Sequence, residues 1–187
     1  MEVRIEIMTE KKFIGKRIMM SLANNKTREL WQGFMSKRKA INNRVGLELY
    51  SIENYPPGYF EKYSPDVEFE KWAAVEVSDT RSTPDEMDSF MSPEGLYAVF
   101  VHKGPASGGP KTYQHIFMTW LPSSNYILDN RPHFAIMGVK YRNEDDNSEE
   151  ELWIPVKAKG TPAANVMCHA RKIFLSKWVL RRARAIE

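Results

Sequence analysis

Residues Tyr97 to Thr112 read YAVFVHKGPASGGPKT: an apolar strand, a glycine-rich turn, then Lys-Thr at the start of a helix. The reading of this stretch decides between a nucleotide-binding P-loop and a tight turn in some other architecture. A P-loop needs G-x-x-x-x-G-K-[ST], because its backbone N–H groups wrap the phosphates and its lysine reaches the terminal one. Gly104 and Gly109 have that gap, but Pro110 stands between Gly109 and Lys111. The insertion moves the lysine one position along the helix, and proline removes a donor where each donor is needed. No apolar strand ending in Asp is placed to hold Mg²⁺. The glycines read better as a turn, with Pro110 at the first helical position.

Working outward, Leu96–His102 is a strand, and after the turn Tyr113, Ile116, Phe117, Trp120 and Leu121 recur at helical spacing until Pro122. PHFAIMGVKY (132–141) is the next strand, and an acidic turn RNEDDNSEEE leads into LWIPVK (152–157). The first half has the same order. Val3, Ile5 and Ile7 alternate as a strand, and a second strand covers Phe13–Met20. Thr27 can cap a helix carrying Leu30, Trp31, Phe34, Met35 and Ile41 on one face. RVGLELYSIE (44–53) and EKWAAVEVSD (70–79) are strands either side of the loop YPPGYFEKYSPD. An offset of 87 residues superimposes Leu30 on Phe117, Phe34 on Leu121 and LELYS (47–51) on FAIMG (134–138). A shorter second loop then brings Trp72 near Trp153 and Val75 near Val156. The chain is therefore expected to be an α+β protein: a tandem duplication of a strand–helix–strand–strand unit, over about 1–80 and 92–157. Antiparallel sheets would enclose a central cleft, the natural place for a site.

Composition bounds the function. With 42% hydrophobic and 12% aromatic residues in 187, the chain can bury a sizeable interior. Five Trp, eight Tyr, nine Phe and ten Met suit a core, and equally a pocket that tolerates varied ligands. One cysteine, Cys168, excludes an internal disulfide, which points to the cytoplasm. No run approaches the ~18 apolar residues of a membrane span. The net charge of +3 divides unevenly. Residues 158–187 hold seven Lys/Arg and one acid, while residues 1–157 hold twenty bases and twenty-three acids. The body thus gives no reason to expect nucleic acid. The tail repeats apolar residues at Val166, Ala170, Ile173, Phe174 and Trp178, a basic helix that can lie on a membrane or touch nucleic acid but is expected first to dock on its own domain or a partner subunit.

Catalytic and metal signals are weak. His102, His115, His133 and His169 show no zinc spacing, so no metal and no cofactor is expected. His102 at a strand end reads as a capping or packing residue. Glu76 alternates with Trp72 and Ala74 on an apolar strand, where a carboxylate facing the cleft would attract a cation.

FEKWAAVEVSD, YAVFVHKGP, IFMTWLPSSNYILDNRPHF and ELWIPVK, in that order, resemble the GyrI-like small-molecule-binding domain. That is the effector-binding module found at the C-terminus of AraC- and MerR-type multidrug regulators. The resemblance covers residues 1–157 and leaves out the extension at 158–187. It implies the same tandem duplication (SHS2-type units) and a cleft between the halves for lipophilic, often cationic compounds. The first strand starts near Glu2, which is expected to make this a stand-alone module without a DNA-binding domain. The family often reads R-P-x-F-E-x-Y, with the Glu neutralising a bound cation from the pocket floor. This chain reads RPHFAIM, with Ala135 and Met137 in place of that Glu and Tyr. Hydrolase relatives rely on such a pair, so binding without catalysis is expected. A cation would need Glu76, Glu48 or Glu151 instead. By motif position the cleft should be lined by Tyr50, Trp72, Tyr113, Phe117, Trp120, Ala135, Met137 and Trp153, with Glu76 and Glu151 as carboxylates. Alternation pairs Ala135 with Met137 and Glu151 with Trp153 on one face each. The rival readings are a module that modulates a larger partner such as a topoisomerase, and a small-molecule hydrolase. Aromatic strands at sheet edges would also suit a homodimer.

Overall fold

Runs of β-branched and aromatic residues broken by Gly, Pro and Asp dictate short strands joined by turns, with two helices where the apolar period lengthens. A computed structural model describes residues 1–61 and 64–160, so nearly all of the expected basic helix at 158–187 lies outside the described residues. The elements are β1 (Val3–Met8), β2 (Lys11–Met20), α1 (Thr27–Lys37), β3 (Leu49–Asn54), β4 (Phe69–Val77), β5 (Asp88–Ser92), β6 (Gly95–Lys103), α2 (Gly109–His115), β7 (Tyr126–Leu128), β8 (His133–Met137) and β9 (Glu149–Ala158). The strands lie in the order β1-β6-β9-β8-β3-β4-β2-β5, every neighbour antiparallel, with β7 on β9.

This is the expected α+β duplication, with one addition. β2-α1-β3-β4 and β6-α2-β8-β9 form two half-sheets that meet at β3 and β8. The flanking strands are exchanged: β1 pairs with β6, and β5 pairs with β2. Neither β5 nor β7 is marked by strong alternation. The 87-residue offset fails for the strands. Tyr50 pairs opposite Ile136, so Tyr50 and Met137 point to opposite faces. The Trp72–Trp153 equivalence holds, since both lie on the face away from the helices.

Local details differ from expectation for physical reasons. Lys26, not Thr27, is the helix cap, and the Thr27 amide donates to Asn25 Oδ1 at 2.8 Å. Pro122 does not stop the second helix at once. Ile116–Trp120 widens to a π-helical segment, and a final turn runs over Leu121–Ser123. A proline has no N–H for the carbonyl four residues back and crowds it, which the wider turn relieves. The acidic run at 144–151 is only partly a turn, because Glu149, Glu150 and Glu151 belong to β9. Each faces a partner across the ladder to β6. The glycine-rich turn is held by His102, which is 4% exposed. Its Nδ1 lies 2.8 Å from Thr112 Oγ1 and its Nε2 lies 3.0 Å from the Pro105 carbonyl. Gly104 has φ +111°, a conformation that suits glycine.

The sheet has two buried faces. On one, α1 packs Leu30 and Phe34 over Ile14, Ala73, Val75 and Val77, and α2 packs its apolar side over Phe100, Leu152 and Ile154. On the other, Phe13, Tyr50, Ile52, Trp72, Tyr97, Val99 and Phe134 form a core without any helix. That face is buried by curvature. Phe13 on β2 and Phe134 on β8 have ring centroids 5.7 Å apart. Three strand spacings separate these strands, about 14 Å in a flat sheet.

The β2–β4 contact depends on Gly15. An added Cβ would lie 2.2 Å from the Ala73 carbonyl oxygen and 2.7 Å from Ala74 Cα. Both are backbone atoms of the neighbouring strand and cannot swing aside. Gly15→Ala is expected to lower unfolding free energy by about 2–3 kcal/mol in urea denaturation. An unchanged midpoint would contradict the close approach.

Candidate functional site

The helices are anchored to separate half-sheets and leave a hollow over the junction. Its floor is set by the β3–β8 ladder, whose helix-side rows are Leu49 with Met137, Ser51 with Ala135, and Glu53 with His133. Ser51 and Ala135 are small, so the middle of the floor stays low. The result is a cavity of ≈ 520 Å³. Trp31 and Met35 from α1 stand on one side, and Pro110 and Tyr113 from α2 on the other. Phe69, Met20 and Leu22 close the end below α1. The expected apolar face of α1 is thereby divided: Leu30 and Phe34 go to the core, while Trp31 and Met35 turn to the cavity.

Among the described residues, four charged side chains line it: Glu53, Lys71, Arg28 and Glu150. Glu53 and Lys71 face each other across β3 and β4. Lys71 Nζ donates to Glu53 Oε1 at 2.7 Å, and the two side chains are 7% and 5% exposed, respectively. The Tyr55 hydroxyl donates to the other oxygen, Glu53 Oε2. Tyr141, beside Glu150, is pushed up to about 12 by burial and by the charges of Glu150 and Glu144, so it stays protonated near neutrality. The lining is mostly apolar and sulfur-rich, with a neutralised carboxylate at one end, a surface suited to a lipophilic molecule.

Residues 1–157 match the GyrI-like small molecule binding domain. The chain belongs to this family. It is 26% identical over 145 residues to the transcriptional regulator BrlR of Pseudomonas aeruginosa, covering 76% of this chain and 51% of that protein. The chain thus spans about half the length of the curated relative it matches. Among solved structures it resembles a putative bacterial transcription regulation protein from Staphylococcus aureus MU50, with TM-score 0.63 and 15% identity over 84% of this chain and 99% of that one. It resembles equally SAV2435 bound to tetraphenylphosphonium, with TM-score 0.63 and 13% identity over 84% of this chain and 94% of that one. These likenesses establish the fold. Among the described residues, no helix is long and apolar enough to cross a membrane.

Of the ten residues singled out from sequence, this GyrI-like domain brings Tyr113, Ala135 and Met137 to the cavity. Phe117 lies one layer behind, in the core under α2, with Phe60 stacked on it at 5.8 Å. Trp120 packs edge-on against Phe100 at 5.1 Å, away from the cavity. Tyr50, Trp72, Glu76, Glu151 and Trp153 are on the opposite, helix-free face. Neither Glu76 nor Glu151 therefore reaches the cavity. Glu76 accepts from Lys11 Nζ at 2.6 Å and from the Tyr50 hydroxyl at 2.9 Å. Burial, followed by the Glu76 charge, raises Tyr50 far above an ordinary phenol. Trp31, Met35, Leu49, Glu53 and Lys71 line the cavity without having been anticipated as site residues. The available signal was a glutamate and a lysine, Glu53 and Lys71, on strands otherwise rich in apolar residues, beside other charges that do not reach the cavity, such as Glu70 and Glu76.

The helix-free face carries the same clasp twice. Trp72 Nε1 donates to Glu70 at 2.6 Å and Trp153 Nε1 donates to Glu151 at 2.9 Å. Each Glu also receives an arginine, Arg17 at 2.9 Å and Arg4 at 2.7 Å. Burial pushes Glu70 up, but donors from Trp72, Asn54 and Arg17 outweigh it and hold the carboxyl below its ordinary range. A depressed pKa contributes stability that is present above the unfolded value, about 4.3, and is lost as pH falls through the folded value. Arg17→Met removes one donor, so the folded pKa of Glu70 moves back toward its unfolded value, and the variant should lose less stability on acidification than the wild type, the two curves converging at low pH. Urea unfolding at steps from about pH 7 to about pH 3 measures this. Superimposable acid limbs would show that the clasp does not hold Glu70 charged.

Proposed function

We propose that this GyrI-like domain binds lipophilic small molecules in the cavity between α1 and α2 and releases them unchanged, as a sensing or sequestering module. The observation that carries the reading is the low floor at Ser51 and Ala135 between walls made by Trp31, Met35, Met137 and Tyr113. A hollow with apolar walls and a few polar groups takes ligands by burying their surface, and methionines adapt to varied shapes. The relation to a transcriptional regulator, and the structural neighbour bound to tetraphenylphosphonium, support the same reading. Binding without chemistry is supported by Glu53, whose two oxygens are taken by Lys71 and Tyr55 rather than poised at the cavity as a base.

Among the described residues Trp31 is the one tryptophan on the cavity, so its emission reports occupancy. Titration with lipophilic aromatic dyes should quench wild-type fluorescence saturably, and Trp31→Phe should abolish most of that quenching. Ala135→Leu fills the floor and should weaken binding about tenfold or more while the protein remains folded. Quenching that persists in Trp31→Phe, together with unchanged affinity in Ala135→Leu, would place the ligand elsewhere.

A further inference from the structure

We propose that the cavity carries its own counter-ion, the Lys71 ammonium, and for this reason selects uncharged lipophilic molecules over cations. The inference rests on the cavity being the binding site. Glu53 is the most buried carboxylate on the lining, and Lys71 stands directly opposite it on the neighbouring strand. Their 2.7 Å contact joins two side chains that are both almost wholly removed from water. With Tyr55 donating to the second oxygen, both carboxylate oxygens already hold a donor from the protein. A cation bound against Glu53 would compete with Lys71 for the carboxylate and weaken a contact between two buried charges, an unfavourable exchange.

The remaining lining charges do not favour a cation either. Among the described lining residues, Glu150 and Glu53 are matched in number by Arg28 and Lys71. At the centre of the floor Ala135 offers a methyl group. A neutral molecule meets apolar surface without disturbing any of these pairs. Glu150 and Arg28 are unchanged by the substitutions below, so their influence cancels in the comparison.

The test uses three aryl probes on the full chain: tetraphenylphosphonium and tetraphenylborate, which share one shape, and the smaller neutral triphenylphosphine oxide as the common reference. Affinities are read by calorimetry or Trp31 quenching. The wild type should bind the neutral probe at least as tightly as either ion. Lys71→Met uncovers the Glu53 carboxylate, so the ratio of phosphonium to neutral affinity should rise about tenfold or more. Glu53→Gln uncovers the ammonium, and the ratio of borate to neutral affinity should rise similarly. The double variant Glu53→Gln/Lys71→Met removes both charges at similar volume and should return both ratios to near the wild-type values. If one single variant is unfolded at the assay temperature, the other carries the test in its own direction. If both are, the phosphonium should raise the melting temperature of Lys71→Met more than that of the wild type. A wild type that prefers the phosphonium, or single variants that leave the ratios or melting shifts unchanged, overturns the counter-ion. Failure of all three probes to bind any form instead overturns the cavity as a binding site, and the counter-ion with it.

Discussion

The antiparallel register between β3 and β8 is the constraint from which the remaining architecture follows. Five residue pairs, from Leu49 with Met137 to Glu53 with His133, join the two half-sheets. Side chains alternate with period two, so this register sends Leu49, Ser51, Ala135 and Met137 toward the helices and Tyr50, Ile52, Phe134 and Ile136 away from them. A slip of one residue on both strands would reverse the assignment. Three aliphatic or aromatic side chains and a tyrosine would then fill the space between α1 and α2, and the cavity would close. The helices keep the space open because each is anchored to its own half: Leu30 and Phe34 hold α1, and Ile116, Phe117 and Leu121 hold α2.

The two faces divide the work of folding and of binding. On the helix-free face, aromatic rings from both halves meet through the curvature of the sheet, with Phe13 of β2 at 5.7 Å from Phe134 of β8. Exchange of the flanking strands ties the halves together a second time, because the chain crosses from one half to the other between β1 and β2 and again between β5 and β6. Within the second half, Arg131 joins β6 to β9. Its guanidinium lies 4.6 Å from the Tyr97 ring and donates to the carbonyls of Leu96 at 2.6 Å and Val156 at 3.2 Å. These contacts lie away from the cavity. Its lining can therefore be irregular, with Met35 left 42% exposed, without loss of the core.

What the sequence discloses follows the same division. Strand alternation and the repeated order of elements disclose an antiparallel α+β duplication, and they pair Ala135 with Met137 and Glu151 with Trp153 as same-face neighbours. Which face turns to the helices is settled by long-range pairing, and a single sequence carries no mark of it. Aromatic richness pointed to the wrong side for that reason. Tyr50, Trp72 and Trp153 are large, and large rings bury most surface in a closed core, which here is the helix-free one. The 87-residue offset matches apolar residues on both helices and strands, but a shift of one position turns a helical side chain by about 100°, whereas on strands an odd shift inverts the face. Glu53 and Lys71 are eighteen positions apart, and only the β3–β4 register makes them partners.

That buried pair has a physical meaning beyond its own contact. Taking two charges out of water costs several kcal/mol each before their attraction returns it, and apolar replacements of similar volume commonly leave a fold as stable. Stability alone therefore gives little reason for an ion pair at this position. Its location gives a better one. In the apolar clusters on either side of the sheet the same pair would be surrounded by side chains that never exchange. On the cavity wall it faces whatever the cavity admits. The floor runs from the apolar row of Leu49 and Met137, across the small row of Ser51 and Ala135, to the row that holds Glu53. A ligand lying along it meets apolar surface at one end and, at the other, a carboxylate whose charge Lys71 already balances. The pair thus acts on the choice of ligand, where an unpaired acid would attract cations and an all-apolar wall would make no distinction.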